Sequence, residues 1–278
     1  MRKKILITII CYNNHVEVLD FINMCSSQSL VNDIHVVVSI NSISENDFLI
    51  LRAGVLLSSI SVDLHYLDEN KGYLNGMILG AEFFLDKYKY LPKWQVMCNT
   101  DIVIKDVNFF QSYETQSFDK NTWVVGPSIY DRGTKSYCNP HYINRISYNG
   151  MKFRSFIFSN TVIATIYSLL SKVKSSLSKA KKDYKSKYVY STHGCFFIID
   201  SELTIKLFTN KYGVLMYSEE SYIAEIVRQY DKKVFYISDL EVEHIGSTTT
   251  SLLGATKKYR YIKESLDYVY KKFYCTFL

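Results

Sequence analysis

Three short polar stretches interrupt apolar segments of this sequence, and each carries side chains that could do chemistry. They are Asn99-Thr100-Asp101 after an apolar strand-like run, Tyr217-Ser218-Glu219-Glu220 at the start of a helical pattern, and Glu243-His244 after a second strand-like run. Carboxylates and imidazoles can bind a divalent cation, and a carboxylate can also take a proton from a hydroxyl group. In α/β proteins, ligands bind at the carboxyl ends of strands, which is where Asp101 lies.

Each stretch also has an ordinary structural explanation. Asp101 can be a turn or helix-cap residue, because Asp and Asn are common in both positions. Glu219 and Glu220 can simply favour a helix N-terminus, where negative charge is stabilised. His244 can be a structural histidine with satisfied hydrogen bonds. Taken singly, the stretches leave both interpretations open.

The elements that must position these residues alternate between strand and helix in the first half of the chain. Strands are predicted at 5–10, 34–40, 63–67 and 94–98. Helices are predicted at 16–26 and over a segment that opens within 70–76 and runs to about 88. Continuous β-branched runs such as the first one are typical of central parallel strands. The alternation predicts a doubly wound α/β sheet.

The pattern changes after Pro127. A loop is predicted at about 128–150, a helix at about 156–187, strands at 195–199, 234–237 and around Val242, and helices at 221–230 and about 256–275. The chain is therefore divided into a first half at 1–127, a second half at 128–250 that includes a helical insertion at 156–187, and a helical tail at 251–278.

Composition limits the class of protein. The 278 residues are 47% apolar with only 11 Gly and 3 Pro, which indicates a packed globule rather than a disordered chain. Six scattered cysteines include no CxxC pair, which argues against a zinc knuckle or redox motif and fits a reducing, cytosolic setting. The short apolar run after Met1-Arg2-Lys3-Lys4 is predicted to be a strand, not a signal peptide.

Positive charge is concentrated in one segment. Residues 151–187 carry nine Lys or Arg against the single acid Asp183, while the whole chain has a net charge of +6. Such a basic amphipathic segment can lie on an anionic membrane or be a solvated surface helix. Nucleic-acid binding is disfavoured, because the sequence has no recognisable nucleic-acid-binding module.

In this order, the motifs resemble the family 2 glycosyltransferases of the GT-A fold, in particular the bacterial branch that builds rhamnosyl- and galactosyl-containing surface polysaccharides. The resemblance runs from about Ile5 to Thr250. It rests on Thr8–Asn14, Asn70–Tyr73, Asn99–Asp101, Val125–Pro127, His193–Phe197, Tyr217–Glu220, and Val242–His244 with Ser247. It implies a mostly parallel central sheet flanked by helices, with the basic helical insertion and the helical tail added. It also implies that 1–127 is the nucleotide-sugar-binding half and 128–250 the acceptor and catalytic half.

The resemblance also implies an activity: inverting transfer of a sugar from a nucleotide-diphospho-sugar to a hydroxyl of a growing, lipid-linked bacterial surface glycan such as O-antigen or capsule. The enzyme is expected to be cytoplasmic and peripheral at the inner face of the cell membrane. Its partners are the donor, the glycan acceptor and, through the basic segment, an anionic membrane surface, but no nucleic acid.

Residue roles follow from the same resemblance. Glu220 is the expected base, and Glu219 orients neighbours or binds acceptor hydroxyls. Asp101 and His244 hold Mn²⁺ or Mg²⁺, which offsets charge on the leaving diphosphate. The expected donor-binding residues are Cys11, Tyr12, Asn13, Asn41, Asn70, Gly72, Asn99 and Thr100, and the expected acceptor-binding residues are His193 and Gly194.

The sequence departs from the family pattern at three places. The segment Val38–Ser42 lacks the Asp that often holds the base, Met77 and Ile78 stand where Asn is frequent, and Asn99 replaces the first acid of the metal motif. A catalytically weak glycan-binding or scaffold subunit therefore remains an alternative. A nucleotidyltransferase is disfavoured, because the residues after the first strand form no Gly-rich phosphate loop.

Overall fold

The computed structural model describes residues 2–177, 180–246 and 254–275, with the backbone alone at 172 and 174–177. Its strands are β1 (Ile5–Tyr12), β2 (Ile34–Ser42), β3 (Ser61–Tyr66), β4 (Trp94–Cys98), β5 (Ile102–Val103), β6 (Thr122–Asp131), β7 (Ser136–Tyr137), β8 (Lys187–Val189), β9 (Phe196–Asp200) and β10 (Lys233–His244). Its helices are α1 (His15–Ser26), α2 (Glu45–Leu56), α3 (Tyr73–Tyr88), α4 (Phe109–Glu114), α5 (Tyr148–Phe158), α6 (Thr161–Leu177), α7 (Ser201–Thr209), α8 (Glu219–Gln229) and α9 (Ala255–Phe273).

These strands form one mixed sheet in the order β3-β2-β1-β4-β9-β6-β10-β5, with β7 paired to β6 and β8 to β10. Strands β1 to β4 pair in parallel, as do β6 and β10, but β9 is inserted antiparallel between β4 and β6. The expected mostly parallel sheet is therefore correct only within these two groups. The apolar run of β9 has the same composition in either direction, so the sequence could not reveal its orientation.

Helices cover both faces of the sheet. Side chains alternate along β1, so Ile7 and Ile9 pack with α1 on one face while Leu6 packs with α3 on the other. All three are fully buried. A strand buried on both faces cannot alternate apolar with polar residues, which explains the continuous apolar run predicted from the sequence.

The predicted single helix at 156–187 is wrong. Helix α5 begins earlier, and α6 begins after a break at which Asn160 Oδ1 accepts hydrogen bonds from the N–H groups of Val162 and Ile163, at 2.9 and 3.2 Å. This is an N-cap, which fixes the start of a new helix. The segment ends in strand β8 rather than a helix, and Lys179 lies outside the described residues.

Two further expectations change. The predicted loop at 128–150 contains the end of β6, all of β7 and the start of α5. The two predicted strands at 234–237 and around Val242 form one strand, β10, whose register with β6 shifts between Ile237 and Glu241. The predicted helical tail is observed as α9, which packs against α5, α6 and α8. Ser247 lies outside the described residues.

No single helix in the described ranges is long and apolar enough to span a membrane. Helices α5 and α6 meet that criterion only when taken together, over Tyr148–Phe158 and Thr161–Ser171, and they are bent by 113° at the break.

Candidate active site

A cleft of about 400 Å³ lies at one edge of the sheet. The parallel strands β1, β2, β4, β6 and β10 end at this edge, and the antiparallel strand β9 begins there. Every site residue predicted from the sequence lines the cleft except Cys11 and Asn13. Cys11 is fully buried in the core, and Asn13 holds the β2 end by donating its N–H to Ser42 O at 2.8 Å.

The predicted metal ligands lie together. The Nε2 atom of His244 is 3.2 Å from Asp101 Oδ2, and the Asn99 amide nitrogen is 3.5 Å from the same Nε2. On the far side of the ring, His244 Nδ1 lies 2.9 Å from Asp131 Oδ2. His244 and Asp131 are direct partners in the parallel β6–β10 register.

These residues fit a divalent cation. Asp101 is 7% exposed, and its carboxylate has no donor beside it other than the His244 ring among the described residues. A buried carboxylate without donors is costly unless a positive charge lies beside it. Asp131 fixes the His244 ring from its other nitrogen, as carboxylates do for histidine ligands of metals.

The protonation of His244 follows from the same contacts. Burial lowers its pKa, but the hydrogen bonds and charges of Asp101 and Asp131 outweigh this effect and hold the pKa above its usual value. A cation at Nε2 would compete with a proton for this nitrogen, so binding is expected to release a proton.

Thr100 belongs to a small polar network at the cleft wall. Its Oγ1 accepts a hydrogen bond from Asn14 Nδ2 at 2.9 Å and donates one to Glu17 Oε2 at 3.2 Å. Asn14 Nδ2 also donates to Glu17 Oε2 at 3.2 Å. Asn14 and Glu17 line the cleft but were not among the predicted residues.

Asn41, Asn70 and Gly72 shape another part of the cleft wall. Asn41 accepts the Lys71 N–H and donates to Gly72 O, both at 3.1 Å, and Asn70 Oδ1 accepts the Gly72 N–H at 2.9 Å. Gly72 has a φ of +80°, and a Cβ there would lie 2.2 Å from Leu215 O, so only glycine fits. The two Asn side chains thus hold the loop that opens α3.

The acidic pair is presented by a strained turn. Tyr217 and Ser218 have φ values of +71° and +59°, a left-handed conformation that is uncommon for non-glycine residues and recurs at functional sites. Tyr212 Oη donates to Tyr217 O, and Ser218 Oγ lies 2.9 Å from Ser265 Oγ on α9. The turn places both glutamates at the first turn of α8.

The two glutamates have opposite pKa shifts. Burial raises the pKa of Glu219 to about 8, and the charge of Glu220 adds to this effect. Burial also raises the pKa of Glu220, but the charges of His141 and His193 and the hydrogen bond from Gly194 N–H, 3.0 Å from Oε1, bring it below its usual value. At neutral pH, Glu219 is therefore largely protonated and Glu220 is ionised, which suits Glu220 to the role of base.

The raised pKa of Glu219 gives a testable pH dependence. Between the unfolded pKa near 4.5 and the folded pKa near 8, the unfolded chain loses this proton while the folded protein keeps it, so stability falls as pH rises. The Glu219→Gln protein should therefore melt a few degrees higher than wild type at pH 8.5 and at nearly the same temperature at pH 4. Thermal unfolding at both pH values measures this; equal differences at the two would contradict it.

A second group of side chains that could bind a metal ion includes Glu220 of the acidic pair. Ligand atoms of His141, His193 and Glu220 are all within 4.8 Å of one another. Burial lowers the pKa of both histidines, that of His193 to about 4. His141 was not predicted from the sequence, because it lies in a stretch taken as a loop.

Asp131 was also missed. Its only sequence signal is its place at the end of a strand-like run after Pro127, and its contact with His244 depends on a strand register that the sequence does not display. The C-terminal helix adds Lys257 and Tyr261 to the cleft, which the tail's composition did not indicate.

Known structures are similar to this protein. The sequence matches no protein-family profile and no curated protein. The structure is similar to the mannosyltransferase PcManGT from Pyrobaculum calidifontis in complex with GDP-Man and Mn²⁺, with a TM-score of 0.56 and 11% identity over 97% of this chain and 70% of the other. It is also similar to GalNAc-T7 with UDP, GalNAc and Mn²⁺, with a TM-score of 0.53 and 11% identity over 95% of this chain and 48%, about half, of the other. The chain therefore has the fold of GT-A type glycosyltransferases.

Proposed function

We propose that this protein is an inverting glycosyltransferase that uses a nucleotide-diphospho-sugar donor. The observation that carries the proposal is the placement of the Glu220 carboxylate in the same cleft as the Asp101–His244 pair, where the buried Asp101 carboxylate has no donor other than the His244 ring among the described residues. The fold agrees, since both structural neighbours are glycosyltransferases recorded with Mn²⁺ and with GDP-Man or UDP.

The residues divide the reaction between them. Glu220 takes the proton of the acceptor hydroxyl while the hydroxyl oxygen forms the new bond to the anomeric carbon of the sugar. The bond from that carbon to the diphosphate oxygen breaks, and its electron pair leaves with the nucleoside diphosphate. Asp101 and His244 would hold Mn²⁺ or Mg²⁺, which would supply positive charge to the leaving diphosphate. Thr100 and Asn99 lie beside this pair, where donor groups would bind.

The acceptor is proposed to approach from the side of His193 and Gly194, which lie next to the base. A lipid-linked glycan of a bacterial surface polysaccharide remains the proposed acceptor, on the sequence resemblance. The test is a panel of nucleotide sugars, with and without Mn²⁺, in which nucleoside diphosphate release and glycan extension are measured. Donor binding without turnover across the panel would favour the scaffold alternative.

Membrane docking through α5 and α6 is proposed from their exposed apolar side chains. Val162 is 67% exposed, Leu170 is 64% exposed, and Phe153 on α5 is 62% exposed. The others are Phe156, Ile163, Ile166, Tyr167, Leu169 and Val173. An apolar surface of this size on a strongly basic segment complements an anionic bilayer, where it would bury its side chains at the headgroup boundary.

We expect the Leu169→Glu, Leu170→Glu double variant to bind anionic vesicles at least about tenfold more weakly than wild type, because burial of each leucine contributes roughly 1.5–3 kcal/mol. Co-sedimentation at low salt measures this. The matched control is Leu56→Glu, Leu57→Glu at the end of α2, where the leucines are 77% and 88% exposed. Equal binding by the two double variants, or no binding by wild type, would argue against docking through this surface.

A further inference from the structure

We infer that His141, His193 and Glu220 form a second cation site, which takes Zn²⁺ and, when filled, stops transfer by occupying the proposed base. The loss of transfer rests on the proposed function of Glu220. The binding of Zn²⁺ rests only on the three side chains.

The ligand set fits zinc. Two imidazoles and one carboxylate, with a fourth position left open, are a common arrangement around Zn²⁺. The three ligand atoms lie within 4.8 Å of one another, and tetrahedral bonds of about 2.0–2.1 Å require separations of roughly 3.4 Å. Binding would therefore require side-chain rotations that bring the ligand atoms closer by up to about 1.4 Å. His193 would give up only the long hydrogen bond, 3.2 Å, that its Nδ1 accepts from Cys195 N–H.

The two histidines are fastened to each other by the backbone. Tyr142, next to His141, bridges to Ser191, with N–O distances of 3.2 and 3.0 Å. Asn139 is buried, accepts the His193 N–H at 2.6 Å and donates to Pro127 O at 2.7 Å. The His141 and His193 ring centroids are 5.4 Å apart. The histidines are therefore held close to each other before any cation arrives.

The Glu220 carboxylate is also held by the backbone. Glu220 Oε1 accepts the Gly194 N–H at 3.0 Å, and a Cβ at position 194 would lie 2.8 Å from this oxygen. Glycine at 194 thus allows the carboxylate to approach the backbone next to His193. The backbone beside both histidines and the Glu220 carboxylate are therefore held by groups that take no part in cation binding.

The two cation sites should differ in preference. His193 and His244 belong to different sites, and their ring centroids are 6.2 Å apart. A site rich in imidazole suits Zn²⁺, whereas Asp101 together with diphosphate oxygens suits Mn²⁺ or Mg²⁺. Zn²⁺ should therefore inhibit an enzyme that Mn²⁺ supports.

The experiment measures zinc binding directly, on metal-free protein without a histidine tag. Equilibrium dialysis gives the affinity for Zn²⁺, and Co²⁺ in its place reports a tetrahedral site by visible absorption. We expect His141→Ala and His193→Gln to weaken Zn²⁺ binding at least about tenfold, because each removes one of three ligands. Asp101→Asn should bind Zn²⁺ like wild type. His65→Ala is the control, since His65 stacks on Phe83 and is not among the residues that line the cleft.

Thermal unfolding shows whether each variant is folded. Wild-type affinity in both folded histidine variants, or loss of Zn²⁺ binding in Asp101→Asn, would overturn the inference. In activity assays, His141→Ala should need at least about tenfold more Zn²⁺ for half-inhibition, each protein being compared with its own zinc-free rate. If the proposed function were wrong but the zinc inference right, no sugar donor would be consumed, while Zn²⁺ would still bind and its binding would still depend on His141.

Discussion

The Glu220→Gln variant should lose sugar transfer by about 10²–10⁴-fold while remaining folded, since this is the usual contribution of a positioned general base. Gln keeps the size of the side chain and can still accept the Gly194 N–H, but it cannot take up a proton. The loss should appear in kcat with little change in donor affinity, because Glu220 is proposed to act on the acceptor. Initial rates of nucleoside diphosphate release at saturating donor measure it.

Glu114→Gln is the matched control, because Glu114 is exposed on α4 and is not among the residues that line the cleft. It should retain full activity. If Glu220→Gln also kept full activity, the base would have to be another group, and the assignment of Glu220 would be wrong. A variant that lost donor binding together with turnover would indicate a folding defect at the turn that precedes α8.

The Asp101→Asn variant should lose metal-supported transfer by about 10²–10³-fold, since a cation contributes several kcal/mol at the leaving group and 1.36 kcal/mol corresponds to a factor of ten. It should also lose the rise in melting temperature that Mn²⁺ with a nucleoside diphosphate produces in wild type. The rise in melting temperature reports binding of Mn²⁺ and the nucleoside diphosphate, and it does not depend on turnover.

Asp86→Asn on α3 provides the control, as Asp86 is an exposed carboxylate that is not among the residues lining the cleft. It should keep both the activity and the Mn²⁺-dependent rise in melting temperature. Persistence of both in Asp101→Asn would mean that the cation binds elsewhere, and the pairing of Asp101 with His244 would then be structural.

The sequence predicted that the site lies at one edge of the sheet, but it did not identify every residue there. Asn99–Asp101 and His244 were selected because they follow apolar strands, and parallel strands bring their ends to one edge. Asp131 lies at that edge too, but its contact with His244 depends on the β6–β10 register across 113 residues of sequence. Pairing across such a separation is set by the folded sheet and has no local signature.

Residue type alone did not show where two predicted donor-binding residues lie. Cys11 and Asn13 belong to a motif at the end of β1, but strand alternation directs Cys11 into the core and the left-handed turn at Asn13 directs its polar groups to Ser42. His141 is the opposite case. Its surroundings carry no regular pattern, and the Tyr142–Ser191 bridge helps to bring it beside Glu220.

Helix α9 follows every other described element along the chain, so it is the last of them to leave the ribosome. It supplies Ser265 to the turn that presents Glu219 and Glu220, and Lys257 and Tyr261 to the wall of the cleft. A nascent chain that has not yet released α9 therefore already carries both glutamates, Asp101 and His244, but neither the support of the turn nor the closed wall. The cleft can therefore be assembled in full only after the ribosome has made and released α9.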